Sequence, residues 1–253
     1  MKAAAVAAER GHKVTLYEAS PRLGGQVLLA QTLPGRSEFG VLVDNLAREM
    51  TLAGVEVRLK STVDRALIDR ENPDVVIVAT GAVPYRPDLE IGGDVHAVEA
   101  WQVLRGEVNP GASVVIADWR CDWVGMGLAE KLAREGCHVR LCVDGVHAGQ
   151  NLQMYLRDYW AGELHKLRVE IIPYARLFGA DGDTVYFHHS TSGEPIICED
   201  VDTLVMAQGH QPVTKLEEEL AGCSQHIHLI GDCLSPRSAE EAIYEGLMSA
   251  RKI

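Results

Sequence analysis

Two short stretches bring together residue types that could bind a nucleotide. Glu18 closes the apolar run "HKVTLYE" (12–18) and is followed by "PRLGGQ" (21–26). An acid at the carboxyl end of a buried strand can accept hydrogen bonds from both hydroxyls of a ribose. Taken alone, Glu18 would read as a solvated strand-end carboxylate; the glycine-bearing run behind it favours the ribose. Gly24 and Gly25 remove side chains where backbone must come close to a ligand, and would serve a tight turn equally well. Arg22 and Gln26 are assigned to the same site. The second stretch is "VVIADWRCDWVGMGLAEKLAREGCHVRL" (114–141). It reads as strand, turn, helix, strand, the unit that usually carries a glycine-rich phosphate loop. With Gly125 in the third-glycine position, the first two fall at Arg120 and Asp122, with additional residues inserted. A carboxylate at Asp122, pressed against a pyrophosphate in a partly desolvated site, would cost several kcal/mol. Trp119 and Trp123 add bulk. This unit is expected to keep its fold and to have lost its dinucleotide.

Such residues need a scaffold, and the chain alternates strands with helices. "PDVVIVATGA" (73–82) and "VDTLVMAQGH" (201–210) are apolar strands that each end in a small residue, a polar residue and Gly. Ala79, Thr80 and Gly81 could let the chain cross over beside a ligand, and a plain strand-ending Gly explains them nearly as well. "EFGVLVDNLAREMTLAG" (38–54) has helical spacing, and "DTVYFHHSTSGEPIICED" (183–200) predicts a hairpin turning at Ser192-Gly193. In "SAEEAIYEGLMSARKI" (238–253), Ser238 and Glu241 have capping-box spacing. Alternation of this kind predicts an α/β fold of parallel sheets wrapped by helices. The two strand-plus-Gly repeats predict two Rossmann-like three-layer dinucleotide-binding-type domains, one inserted in the other. The outer domain is expected at 1–95 plus 212–253, and the inserted one at 96–211.

Composition narrows the functions. The 253 residues carry a formal charge of −12, which argues against nucleic acid as a partner. No apolar run is long enough to span a membrane, and no signal peptide is read at the start. The six cysteines form no C-x-x-C, and no His/Cys group has zinc-ligand spacing. Reduced thiols and a cytoplasmic location are expected. His188-His189 lacks a partner at ligand spacing, so no metal site is assigned. No nucleophile–base pair is evident, so no catalytic residue is assigned.

In this order, Glu18, "PRLGGQ", "VIVATGA" (76–82) and "HLIGDC" (228–233) resemble the flavoprotein reductases with two dinucleotide domains. Within them the whole chain is most similar to the C-terminal part of the trimethylamine dehydrogenase and 2,4-dienoyl-CoA reductase (NADH:flavin oxidoreductase) family. "ADWRCDWVGMGLAEKLA" and "AGQNLQMYLRDYWAGELHKL" resemble the N-methyl amine demethylase branch, such as N-methylproline or stachydrine demethylases.

The resemblance implies FAD, or ADP, in the outer domain. It places Gly231 and Asp232 near the flavin ribityl and pyrophosphate, with the following helix N-terminus directed at the flavin ring. A simple helix-capping Asp is the competing reading of Asp232. Family members carry FMN and an iron–sulfur cluster in an N-terminal barrel, which these residues could not supply. The first strand and G-x-G-x-x-G loop of the outer domain also have no counterpart here. The chain therefore reads as a fragment or truncated product, expected to bind FAD weakly or not at all by itself. Its partners would be the FMN barrel domain or subunit and an electron-acceptor protein, with self-association left open. NAD(P) is not expected, which favours an amine demethylase over an NAD(P)H-dependent flavin reductase. A non-catalytic structural module with a vestigial nucleotide site is the remaining alternative.

Overall fold

The computed structural model describes residues 1–253. The chain divides into two compact units, one of Met1–Gln31, Ser37–Val83 and His210–Ile253, the other of Thr32–Arg36 and Pro84–Gly209. The crossings thus lie at 83/84 and 209/210, where the sequence reading sets them at 95/96 and 211/212. The first moves because Glu90 and Ile91 pair with Gly179 and Ala180 inside the inserted unit. Thr32–Arg36 joins that unit through buried Leu33 beside Gly127 and through Arg36, 4.8 Å from the centre of the Trp160 ring.

The outer unit opens with α1 (Lys2–Glu9), β1 (Thr15–Tyr17), α2 (Val27–Ala30) and α3 (Glu38–Leu52). Then come β2 (Glu56–Arg58), α4 (Arg65–Glu71), β3 (Val75–Val78) and β4 (Ala82–Pro84). The α1 sequence KAAAVAAE buries Ala3 to Ala7, because alanine both favours helix and lets a helix approach its neighbours closely. Asp64 caps α4 by accepting from Leu67 N–H at 2.8 Å, and Asn72 ends it in the left-handed conformation.

The inserted unit contains β5 (Glu90–Ile91), β6 (Ala97–Glu99), α5 (Ala100–Leu104), β7 (Ser113–Asp118), α6 (Trp123–Arg134) and β8 (His138–Val143). It continues with α7 (Met154–Lys166), β9 (Glu170–Ile172), β10 (Ala175–Asp181), β11 (Thr184–His189), β12 (Pro195–Cys198) and β13 (Thr203–Ala207). A parallel sheet runs β6-β13-β7-β8-β9. Helix α6 packs along this sheet and buries Met126, Leu128, Ala129 and Leu132.

Helices alone do not wrap the sheet, contrary to the sequence expectation. Val115, Ala117, Cys142, Leu204 and Met206 of the parallel sheet share a core with Leu177, Val185, Phe187 and Cys198 of the antiparallel strands β10-β11-β12. Period-two alternation in "TVYFHH" points Val185 and Phe187 into this core. The expected hairpin is present as β11 and β12.

The chain returns to the outer unit as β14 (His210–Pro212), α8 (Lys215–Glu219), β15 (His226–Leu229), a 3₁₀ turn (Gly231–Cys233) and α9 (Ala239–Ala250). Ser238 and Glu241 form the expected capping box of α9. Here β1 pairs in parallel with β2, β3 in parallel with β15, and β4 with β14. No strand of these residues joins the β1-β2 pair to the β3-β15 pair. Side chains of α1 do join them. Ala3, Val6 and Ala7 pack with Ile230 and Ala250, while Ala4 and Ala5 pack with Met50 and Leu16. The molecule is an α/β protein with two dinucleotide-binding-type units, one inserted in the other.

Candidate functional site

In the outer unit, Glu18 follows β1 and its backbone extends the pairing: its N–H donates to Arg58 C=O at 2.9 Å. Its carboxylate accepts from Ser20 N–H at 2.8 Å through Oε1. Gly24 has φ of +120° and Gly25 of +51°, so both glycines sit where a side chain is strained. A Cβ at Gly24 would also lie 2.9 Å from Leu28 Cγ. Arg22 is exposed at the start of this turn.

The turn delivers Gln26 to the far end of the sequence. Gln26 Nε2 donates to Asp232 Oδ2 at 3.0 Å, and a Cβ at Gly81 would lie 3.8 Å from the same nitrogen. The structure therefore brings Gln26, Gly81 and Asp232 together, whereas Glu18 lies on the other strand pair. Thr80 Oγ1 donates to Val213 C=O at 2.7 Å, and Ala79 is exposed after β3. Asp232 does not cap α9, since Ser238 does. Its Oδ1 accepts from Arg237 N–H at 3.1 Å. Gly231 N–H donates to Glu245 Oε2 at 2.7 Å, and Arg237 pairs with the same carboxylate. Arg237 and Glu245 border this turn, and no spacing signal in the sequence marks them.

In the inserted unit, the loop between β7 and α6 is closed by its own carboxylates. Asp118 is 2% exposed, and its Oδ1 accepts from Cys121 N–H at 2.9 Å. Asp122 is the N-cap of α6: its Oδ1 accepts from Val124 N–H at 2.9 Å, and its Oδ2 pairs with Arg120 Nε at 3.2 Å. A dinucleotide-binding loop offers such N–H groups to phosphate. Here the Asp118 and Asp122 carboxyl groups take N–H groups of the loop instead. A Cβ at Gly125 would overlap Asp118 Oδ2, so this glycine makes room for a carboxyl group rather than for a ligand. Burial pushes the Asp118 carboxyl well above the ordinary carboxylate range, and the Asp122 charge pushes it the same way. Burial beside Asp118 likewise pushes the Cys121 thiol up to about 12. Cys121 has φ of +49°, a strained conformation for a non-glycine residue.

Asp144 was also missed, although a signal existed. It follows β8 at the end of "HVRLCVD" as Glu18 follows β1 at the end of "HKVTLYE". Arg176 Nε reaches Asp144 Oδ2 at 3.1 Å. Elsewhere, His188 stacks on Phe178 with ring centres 4.3 Å apart, and His189 lies 5.1 Å from the Tyr174 ring. No three His, Cys, Asp or Glu side chains are grouped to hold a metal ion. All six cysteines are free thiols, with Cys142 and Cys198 Sγ atoms 4.0 Å apart in the core. No helix is long and apolar enough to cross a membrane.

A model of the family described as pyridine nucleotide-disulphide oxidoreductase matches residues 1–246. The chain is 29% identical to the N,N-dimethylglycine/sarcosine dehydrogenase of Chromohalobacter salexigens, over 98% of this chain and 41% of that protein. It is 31% identical to the bilirubin reductase of Mediterraneibacter gnavus, over 99% of this chain and 38% of that protein. The structure of histamine dehydrogenase from Rhizobium sp. 4-9 superimposes with a TM-score of 0.93 at 22% identity, covering 100% of this chain and 42% of that one. The chain thus spans about two fifths of the length of the relatives it matches.

Proposed function

The chain belongs to the pyridine nucleotide-disulphide oxidoreductase family, and from that premise we propose that it is the nucleotide-binding part of a larger flavin-dependent oxidoreductase. The larger enzyme oxidises an N-methyl amine and passes the electrons to an external acceptor protein. FMN and an iron–sulfur cluster would belong to a separate barrel domain or subunit. The observation that carries this reading is the loop at Asp118–Asp122, whose Cys121 and Val124 N–H groups are taken by the chain's own carboxyl groups; it supports an enzyme that draws no hydride from a pyridine dinucleotide. The likeness to a dimethylglycine/sarcosine dehydrogenase supports an N-methyl amine as substrate.

The outer unit is assigned to FAD or its ADP portion. Its residues fit the two ends of such a ligand. Glu18 offers a strand-end carboxylate for a ribose, behind the turn of Arg22, Gly24 and Gly25. Gln26 and Asp232 offer a fixed polar pair next to Gly81, Gly231 and the Ala79-Thr80 bend. Bound flavin would supply two-electron acceptance. The chain's own part is to bind and orient it.

A second reading, an NAD(P)H-dependent reductase, is favoured by the 28% identity to an NADH oxidase. Flavin absorbance of the holoenzyme separates the two. Bleaching by N-methyl amines, with none by NADH, is the expected result. Bleaching by NADH would establish the reductase instead, and an enzyme without flavin would leave a structural module.

A further inference from the structure

The inserted unit holds two thiols that face each other across its core. Cys142 lies on β8 of the parallel sheet and Cys198 on β12 of the antiparallel layer, and both are buried. Their Sγ atoms are 4.0 Å apart. That is the spacing of two thiols in contact, and a disulfide needs a further approach of roughly 2 Å. The approach falls to β12, an edge strand paired only with β11. The other four cysteines, Cys121, Cys137, Cys223 and Cys233, direct their sulfur at backbone carbonyls instead.

Neighbouring residues hold the pair in this position. Side chains two apart on a strand share a face, so Arg140 leaves β8 on the side of Cys142. Its guanidinium donates through Nη2 to Glu199 C=O at 2.7 Å and reaches Asp200 C=O at 3.4 Å. Those carbonyls directly follow Cys198, so one side chain clamps the end of β12 over β8. Register with Val185 of β11 fixes which face Cys198 presents, and Val185 shares the core with both sulfurs. Facing sheets with a cysteine on each are the setting in which some β-sandwiches carry an inter-sheet bridge. The two thiols are also unequal. The hydrogen bond from Cys142 draws the Cys198 thiol below its ordinary range, with Arg140 acting the same way against burial. The same contact, and then burial, pushes the Cys142 thiol up. The thiolate is the nucleophile, so Cys198 is the attacking sulfur.

We propose that Cys142 and Cys198 are a reversible dithiol–disulfide pair, oxidised by hydrogen peroxide, that locks the antiparallel layer onto the parallel sheet. The Cys198 thiolate attacks one peroxide oxygen and the O–O bond breaks. Cys198 becomes a sulfenic acid, and the hydroxide released takes up the thiol proton as water. Cys142 Sγ then attacks Cys198 Sγ, the S–S bond forms and the S–OH bond breaks. The hydroxyl leaves with the Cys142 proton as a second water. The two sulfurs together give up two electrons, which the peroxide accepts, and a thiol reductant returns both to thiols. Local opening at the β12 edge admits the peroxide, and the finished bridge holds that edge shut. The step uses neither flavin nor pyridine nucleotide, so it stands apart from the amine-oxidising reading.

Treating the folded full chain with hydrogen peroxide, then denaturing and alkylating it, tests this. Alkylated thiols should fall from six to four, and peptide mapping should find one bridge, between Cys142 and Cys198. Dithiothreitol should restore all six. The urea midpoint of the bridged protein should rise, because the bridge restricts the unfolded chain, and peroxide should bring no such rise in Cys142→Ala or Cys198→Ala. Dimedone reads the two roles: it should label Cys198 in the Cys142→Ala protein and leave Cys142 unlabelled in Cys198→Ala. Where a core substitution prevents folding, mapping of the unsubstituted protein decides alone. Six thiols retained after peroxide, a bridge through any other cysteine, or a bridge formed only in the unfolded chain overturns the proposal.

Discussion

Gln26 and Asp232 share a hydrogen bond of 3.0 Å across 206 positions of sequence. The bond ties the glycine turn after β1 to the 3₁₀ turn after β15, so two motifs from opposite ends of the chain form one polar surface. Asp232→Ala removes the acceptor for both Gln26 Nε2 and Arg237 N–H. Unfolding in urea should show a loss of about 1–3 kcal/mol. ADP affinity of the holoenzyme, measured by calorimetry, should fall about tenfold, with a smaller loss for Gln26→Ala.

Asp118 should make stability depend on pH. Its folded pKa is raised from the ordinary 3.8 by burial and by Asp122, with the Cys121 and Arg120 N–H groups and the Arg120 charge opposing. The folded state thus keeps a proton that the unfolded chain releases. Stability is fully present below the ordinary value and is lost as pH rises toward the folded one, at up to about 1.4 kcal/mol per pH unit for one proton. Asp118→Asn cannot titrate and should show a flatter profile. Urea unfolding from pH 4 to 8 checks this, and parallel profiles for the two proteins would refute it.

Gly125 and Asp118 are sterically matched, since a Cβ at one occupies the carboxyl oxygen of the other. Gly125→Ala alone should cost about 1–3 kcal/mol by overpacking. In an Asp118→Ala background the carboxyl clash is gone while the Cβ at 2.9 Å remains, so the cost should fall without vanishing. A double-mutant cycle with a coupling below about 0.5 kcal/mol would show the two positions to be independent.

Gly24 and Gly25 should respond differently to alanine. Both require positive φ, but only at Gly24 would the methyl group press on Leu28 and Val43. Gly25→Ala is expected to cost about 1 kcal/mol of strain, and Gly24→Ala at least about 2. Thermal unfolding of the two variants orders them.

Much of the scaffold could be read directly from residue types. The β-branched runs at 75–78 and 203–207 are strands, the Ser192-Gly193 turn joins a hairpin, and Ser238 caps the last helix. These features are local, so local chemistry announces them. Helix α6 starts at Trp123, two residues before Gly125, because Asp122 is a good N-cap as well as a poor phosphate neighbour. The antiparallel layer over the sheet escaped because alternation in "TVYFHH" identifies a strand and not the face it covers. The grouping of Gln26, Arg237 and Glu245 around the Gly231-Asp232 turn escaped for a different reason. Polar partners separated by whole elements leave no periodic trace. Asp144 alone had a visible precedent, in Glu18.

The alanine face of α1 has a mechanical consequence. Hydrogen-bond ladders transmit strain along a sheet, but the two halves of the outer unit share no ladder and are coupled by small apolar contacts to one helix and by the single Gln26–Asp232 bond. Such coupling is soft and short-ranged. The halves can breathe against each other while each stays internally rigid, so their amide hydrogens should exchange as two populations with separate opening energies. A flavin laid across both would act as a brace, and its arrival would merge the two populations into one.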